Sequence, residues 1–315
     1  MHVDQIYAYL DSFDPASLSD AAYEAKALAL FRTDFADAAA VHAHFRDRQP
    51  LAIDDLPVGP LTDEQRQIAE DCLSNIFSFK GARHPMGEDI DWGHNPSFDH
   101  WVHDLNRFSF IPPLIKTSVH TGDARYSAKA AQLVLDWVDK NPVTDSWHWR
   151  EGKTARHSPR GPWQSYLNIA SHLRTWAAHF EAFVPHWSPA ELLRVLKSIH
   201  DQCLYLVDIV PTARNNWSII GCNALIQTAG RLPEMRMADK ALPFATKLIA
   251  EEAEAQILPD GVQFELTQSY HFTVMRLLQT ALACEKLPGV KLPASMRQTV
   301  DRMLDYVMQI ILPCG

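Results

Sequence analysis

The sequence has no block of lysine and arginine, no apolar run approaching a membrane span, no CxxC pair and no alternating runs long enough for a major β-sheet. Each absence removes a class of function. With a formal charge of −9 and no basic block, a nucleic-acid or anionic-membrane surface is not expected, although a local basic cleft stays open. The five cysteines, Cys72, Cys203, Cys222, Cys284 and Cys314, are far apart and odd in number, which indicates neither a disulfide scaffold nor a zinc knuckle. No HExxH motif occurs. His100 and His103 lie three apart without an acidic or cysteine partner in register, and His42 and His44 fall on different helix faces, so no metal site is read in this chain. The opening residues MHVDQIYAYLDSF carry no basic stretch followed by a long apolar run, so no signal peptide is read there.

What the chain does contain is helix after helix, with proline stops between them. Its 315 residues, 47% of them apolar, can bury a large core as one domain. The stretch LTDEQRQIAEDCLSNIF offers Thr62 as an N-cap followed by acidic residues. WSPAELLRVLKSIHDQCLYLVDIV places Ser188 as a cap, Pro189 at the first helical position, and Leu192, Leu193, Leu196, Ile199 and Cys203 on one apolar face. An alanine-rich stretch from residue 18 to 48 fits one long helix or two successive ones. Residues 80 to 97 and 257 to 267 are the irregular or extended exceptions, and long irregular connections in helical domains are where function concentrates. Antiparallel helical hairpins closed into a ring suit this pattern, with the irregular segments at one mouth.

Three stretches are dense in polar and aromatic residues. The first, DIDWGHNPSFDHWVHDLNRFSF, holds Trp92, His94, Asn95, Asp99, Trp101, Asn106 and Arg107. Aromatic platforms beside polar groups suit sugar rings, while Trp101, Leu105 and Phe108 equally suit a core face. The second, PTARNNWSIIGCNALIQTAG, sets Arg214, Asn215, Asn216 and Trp217 before an apolar run. One asparagine serves as an N-cap; two in a row leave one free for another purpose. The third, PDGVQFELTQSYHFTVMR, turns at Asp260-Gly261, carries Gln263 and Glu265, and enters a helix at Tyr270-His271. A tyrosine beside a histidine can exchange a proton with a substrate, although each alone is more often a packed, hydrogen-bonded residue.

Read in order, WxxNPxxDxWxxxLNRF from Trp92 to Phe108, then TGDARY, NNW and DGVQFELTQSYH, the chain resembles the N-terminal toroid of the heparinase II/III family of polysaccharide lyases, closest to its heparan-sulfate lyase branch. The resemblance implies an all-α, incomplete (α/α) toroid over residues 1–315, cut off before the family's C-terminal β-sandwich, because the sequence stops at MQIILPCG. It implies β-elimination on a uronate-containing glycan, heparan-sulfate-like glycosaminoglycan first, in a periplasmic or secreted setting. It assigns carboxylate neutralisation to Asn216, with Asn215 as the fallback, and acid or acid and base duty to Tyr270. His271 would hold Tyr270 or the substrate, or cap the helix, and Glu265 would fix neighbouring groups. Trp92, His94, Asn95, Asn106, Arg107, Arg214 and Trp217 would line the substrate, the arginines by pairing with carboxylate or sulfate. No cofactor is implied in this chain; a divalent metal belongs to the family's C-terminal domain. One departure is Gly221, where relatives often carry a glutamate.

Two other readings compete. A glycoside hydrolase on an (α/α) barrel would need two carboxylates across the scissile bond, which Asp91, Asp260 and Glu265 could supply. A carbohydrate-binding toroid without turnover would need neither.

Overall fold

The computed structural model describes residues 20–53, 59–96, 100–141 and 165–310. Asp99 and the final segment 311–315 lie outside them. Helices α1 (Asp20–Leu28), α2 (Ala38–Asp47) and α3 (Asp63–Leu73) lead into a hairpin of β1 (Ile76–Phe79) and β2 (Ala82–Pro85). There follow α4 (Trp101–Asn106), α5 (Ile111–Thr121), α6 (Ala124–Lys140), α7 (Tyr166–Ala178), α8 (Phe180–Phe183), α9 (Pro189–Ile209), α10 (Asn216–Arg231), α11 (Ala238–Gln256), α12 (Gln268–Ala283) and α13 (Ala294–Ile310). The architecture is the all-α toroid expected from the sequence. None of the described helices is long and apolar enough to cross a membrane.

Local chemistry explains the boundaries. Thr62 and Ser188 each close a capping box, with Gln65 and Glu191 returning hydrogen bonds to the cap backbone. Pro189 occupies the first turn of α9, where its missing N–H costs nothing, and Leu192, Leu193, Leu196, Ile199 and Cys203 are all buried. The alanine-rich stretch forms two helices, α1 and α2. Between them the backbone pairs with a distant turn: Arg32 N–H donates to Glu234 O at 2.7 Å and Arg236 N–H to Leu30 O at 2.8 Å. Asp37 then caps α2 through Ala40 N–H.

The irregular segment at residues 80 to 97 opens inside a hairpin that alternation alone did not reveal. Ile76 pairs with Pro85 and Phe79 with Ala82, and the two turn residues, Lys80 and Gly81, take φ of 50° and 84°. Two successive left-handed residues match the right-handed twist of a two-strand ribbon.

Helix directions decide what meets at the mouth. The first residue of α7, Tyr166, sets its ring edge-on to Trp217 at the start of α10, with centroids 5.6 Å apart. Asn223 Nδ2–H of α10 donates to Leu277 O of α12 at 2.7 Å, across a sequence offset of 54. A Cβ on Gly230 would touch Leu287 and Val290, just beyond the end of α12, so α10 and α12 run parallel. The same offset separates Asn216 from Tyr270, which brings both to one end of the ring. Helix α11 returns antiparallel: Glu252, near its C-terminus, reaches Ser218 in the first turn of α10.

Candidate functional site

Asn215 and Asn216 divide the labour that the sequence left open. Asn215 is the N-cap, extended at φ −150° and ψ −163°, and its Oδ1 accepts Trp217 N–H at 3.0 Å. Its carbonyl lies 2.6 Å from the Ser218 hydroxyl, whose single proton is shared between this carbonyl and Glu252. Asn216 is the first helical residue, 5% exposed, and its side-chain amide makes no hydrogen bond to any described residue. Its amide is not among the fully buried side-chain polar atoms that lack a partner, so it keeps access to solvent and its donors stay free for a ligand.

The turn beneath is fixed from α11. Glu252, 1% exposed, accepts Ser218 Oγ–H at 2.8 Å and Gln256 Nε2–H at 2.7 Å on Oε2. Arg214 Nε lies 2.5 Å from its Oε1, while 56% of the Arg214 side chain remains exposed. Gly221 has a packing reason: a Cβ there would stand 2.4 Å from Val210 Cγ2.

The third stretch folds back onto the same helix end. Asp260 Oδ1 accepts Val262 N–H at 3.1 Å, and Gly261 takes φ 88° where a Cβ would lie 2.2 Å from Arg302 O. Ile257 bridges Gln263, and Phe264 N–H donates to Gln256 O at 2.8 Å. Buried Gln263 accepts Glu265 N–H at 2.9 Å and donates to its carboxylate at 3.2 Å. Thr267 caps α12 through Tyr270 N–H at 3.3 Å, and the Tyr270 side chain stands 44% exposed. Trp217 is half-buried against Tyr166.

His271 departs from expectation. It is 2% exposed and does not cap the helix. Nδ1 accepts Gln263 N–H at 3.4 Å and Nε2 donates to Met303 O at 3.3 Å, so both ring nitrogens are engaged and the ring pins the 257–267 segment to α13. Burial pushes its pKa down, which favours this neutral form.

The first stretch also divides. Asn106 is fully buried: Nδ2 donates to Trp92 O and Val102 O, both at 2.8 Å, and Oδ1 accepts Trp137 Nε1–H at 2.9 Å. Trp92, 2% exposed, donates Nε1–H to Asp136 at 2.8 Å and stacks on Phe108 at 5.1 Å. These two belong to the core, not to a substrate surface, because every polar atom of their side chains is satisfied internally. His94 and Asn95 are exposed on the loop beside them. Arg107 lies at the end of α4, with Nη1 3.6 Å from Asp104 Oδ1 and a buried Nε that has no hydrogen-bond partner among the described residues. Burial holds its pKa below the ordinary range. One turn earlier, His103 shares a contact of 3.2 Å with Asn168 of α7, and burial lowers its pKa more than that hydrogen bond raises it.

Sequence reasoning missed Glu252, Ser218 and Gln256. Glu252 was visible as a carboxylate on the apolar stripe Ala245, Leu248, Ile249, Ala253 of α11, all of them buried. Among the described residues no three of His, Cys, Asp or Glu gather as ligands for a metal ion.

The starts of α7, α10 and α12 are capped by Ser165, Asn215 and Thr267, and those of α10 and α12 share one end. Helix starts carry partial positive charge, so this mouth favours an anion despite the acidic chain. Parallel inner helices, an outer antiparallel helix and a polar mouth at the inner helix starts define an (α/α) toroid with an anion-receptive end. Residues 20–314 match the Heparinase II/III N-terminus family, and the chain belongs to it. The chain is 25% identical over 296 residues to a heparin-sulfate lyase of Bacteroides stercoris, covering 88% of this chain and 44% of that protein. It is 25% identical over 266 residues to the heparin-sulfate lyase of Pedobacter heparinus, covering 81% and 38%. Among solved structures, it superposes on a heparinase III at a TM-score of 0.73 and 20% identity, covering 98% of this chain and 46% of that one. Heparan sulfate lyase HepC from Pedobacter heparinus gives 0.69 and 22%, covering 98% and 48%. The chain thus spans less than half the length of these relatives.

Proposed function

We propose that this chain is the helical half of a polysaccharide lyase that cleaves a uronate-containing glycan, heparan-sulfate-like glycosaminoglycan first, by β-elimination. The observation that carries the reading is Asn216, whose side-chain amide makes no hydrogen bond to a described residue yet keeps access to solvent, at the end of the ring where the inner helices start and on the level of an exposed tyrosine. In the elimination the C5–H and C4–O4 bonds break and a C4=C5 double bond forms. Charge gathers on the adjacent carboxylate, and a fixed donor that holds it there stabilises the transition state. Asn216 Nδ2–H supplies that donor without adding a competing base. Tyr270, as phenolate, takes the C5 proton, and as phenol returns it to the departing O4. Arg214 and Arg107 pair with carboxylate or sulfate groups, His94 and Asn95 border the glycan, and Trp217 offers an apolar face. Glu265 orders the strand that leads to Tyr270. Such a polymer is met outside the cytoplasm.

The test is ultraviolet absorbance over time with heparan sulfate, heparin, hyaluronan, chondroitin sulfate and alginate. A rise abolished by both Asn216→Ala and Tyr270→Phe supports the reading. Reducing ends released without absorbance would move it to hydrolysis, and a flat trace with glycan bound would reduce this half to a holder of substrate.

A further inference from the structure

The geometry points to Glu252 as a positioning residue: it locks the two halves of the mouth in register and converts Arg214 into an oriented anion-binding group beside Asn216. This rests on the lyase reading above.

A carboxylate 1% exposed on an apolar helix face is costly unless several partners hold it. Glu252 has two hydrogen-bond donors, both on Oε2, and one ion-pair partner at Oε1, which accepts no hydrogen bond, and they come from both sides of the site. Ser218 Oγ–H at 2.8 Å belongs to the first turn of α10, whose first residue is Asn216. Gln256 Nε2–H at 2.7 Å belongs to the last turn of α11, and Gln256 O in turn receives Phe264 N–H at 2.8 Å in the segment that runs to Tyr270. Arg214 Nε, 2.5 Å away, precedes the cap. One buried carboxylate therefore ties the residue before the cap, the turn that bears Asn216 and the strand that leads to Tyr270.

The arrangement also sets charge. The two terminal nitrogens of Arg214 make no hydrogen bond to a described residue, while its Nε is drawn inward to Glu252 and the side chain stays 56% exposed. The ion pair draws the guanidinium toward Glu252 on its Nε side and leaves its outer pair of N–H groups free to meet a carboxylate or sulfate. Arg214 in turn neutralises Glu252, which would otherwise oppose the charge gathering on a bound uronate a turn away.

The experiment compares the full chain with Glu252→Gln, Glu252→Asp and Ser218→Ala, reading kcat and KM by absorbance, thermal midpoint, and backbone amide exchange at residues 215–219 and 262–268. Glu252→Gln is expected to fold cooperatively, to lose about tenfold or more in kcat, to raise KM as Arg214 loosens, and to exchange faster in both segments. Glu252→Asp should recover part of both losses. Ser218→Ala should lower kcat while leaving KM nearly unchanged, since the Arg214 contact survives. Wild-type kinetics in Glu252→Gln, a lower thermal midpoint with kinetics intact, or unchanged exchange at 262–268 would each overturn the proposal. If the unmodified chain is silent on every glycan, the lyase reading fails by itself. Exchange then decides the coupling: faster exchange in both segments of Glu252→Gln supports it, and unchanged protection overturns it.

Discussion

Asn106 and Asn216 are the same residue in two opposite settings. Asn106 itself is fully engaged: its amide binds two carbonyls, its oxygen takes Trp137 Nε1–H, and its own carbonyl contacts His172 Nδ1 at 3.0 Å. His172 Nε2 meets Gln202 Oε1 at 2.5 Å, and its ring stacks on Trp176 at 4.3 Å. At the start of α10 Asn215 caps the helix, while the Asn216 amide makes no hydrogen bond to a described residue and keeps access to solvent, and Tyr270 stands open at the same end. Both regions are rich in asparagine, tryptophan and arginine. What separates the two asparagines is whether the amide is already engaged by the protein or left open to a ligand, since the core itself leaves one buried donor, Trp176 Nε1, without a hydrogen-bond partner among the described residues.

The sharpest way to break that contrast is to exchange the outcomes. Asn216→Ala is expected to lower turnover by roughly 10²–10³-fold, the usual loss for one donor to a developing oxyanion, while moving stability by less than about 1 kcal/mol. Asn106→Ala is expected to do the reverse. It orphans the Trp137 indole and two carbonyls in the core, a loss of about 3 kcal/mol in chemical denaturation, with the kcat of the folded protein little changed. Equal effects on stability from the two substitutions would erase the distinction.

Acid probes the core. Burial pushes His172 from 6.5 to about 4, and burial, with Arg231 nearby, does the same to His179 at the end of α7. The folded chain thus binds these protons less readily than the unfolded chain. Their stabilising contribution is complete above pH ~6.5 and is lost as pH falls toward ~4. Between pH ~7.5 and ~5 each should remove about 2 kcal/mol of stability, since one pKa unit is worth about 1.4 kcal/mol. Denaturation midpoints across that range measure it, and His172→Gln should flatten the slope by its share.

The capping chemistry of the long helices was legible because caps are local: Thr62 and Ser188 announce α3 and α9 within four residues. The hairpin at residues 76–85 was not, since its strands are four residues each and its turn is Lys-Gly, a weak signal. The break between α1 and α2 was hidden for a different reason: it is imposed by pairing with residues 234–236, some two hundred positions away. In the mouth, the Asn-Asn-Trp motif was conspicuous, but which asparagine caps depends on the helix phase, and adjacent residues carry no sign of it. Trp92 and Asn106 look like ligand groups in sequence because a polar core hub uses the same residue types as a sugar site. Glu252 was overlooked for the converse reason: a single carboxylate in an apolar stripe contributes nothing to a motif.

The smallest effect tests the division within the asparagine pair itself. Asn215→Ala removes the oxygen that accepts Trp217 N–H, which should cost about 1 kcal/mol of stability, and Asn215→Asp should restore most of it, because aspartate caps as well and suits the positive helix start. Asn216→Asp should behave oppositely. Aspartate near a helix start does not harm the fold, yet it sets a second negative charge where the uronate carboxylate must rest, so turnover is expected to vanish while the thermal midpoint holds. The two substitutions differ by one position and give variants of the same net charge, each one unit more negative than the parent. A chain that tolerates aspartate at 216 and loses turnover with aspartate at 215 would reverse the assignment and make Asn215 the group that faces the substrate.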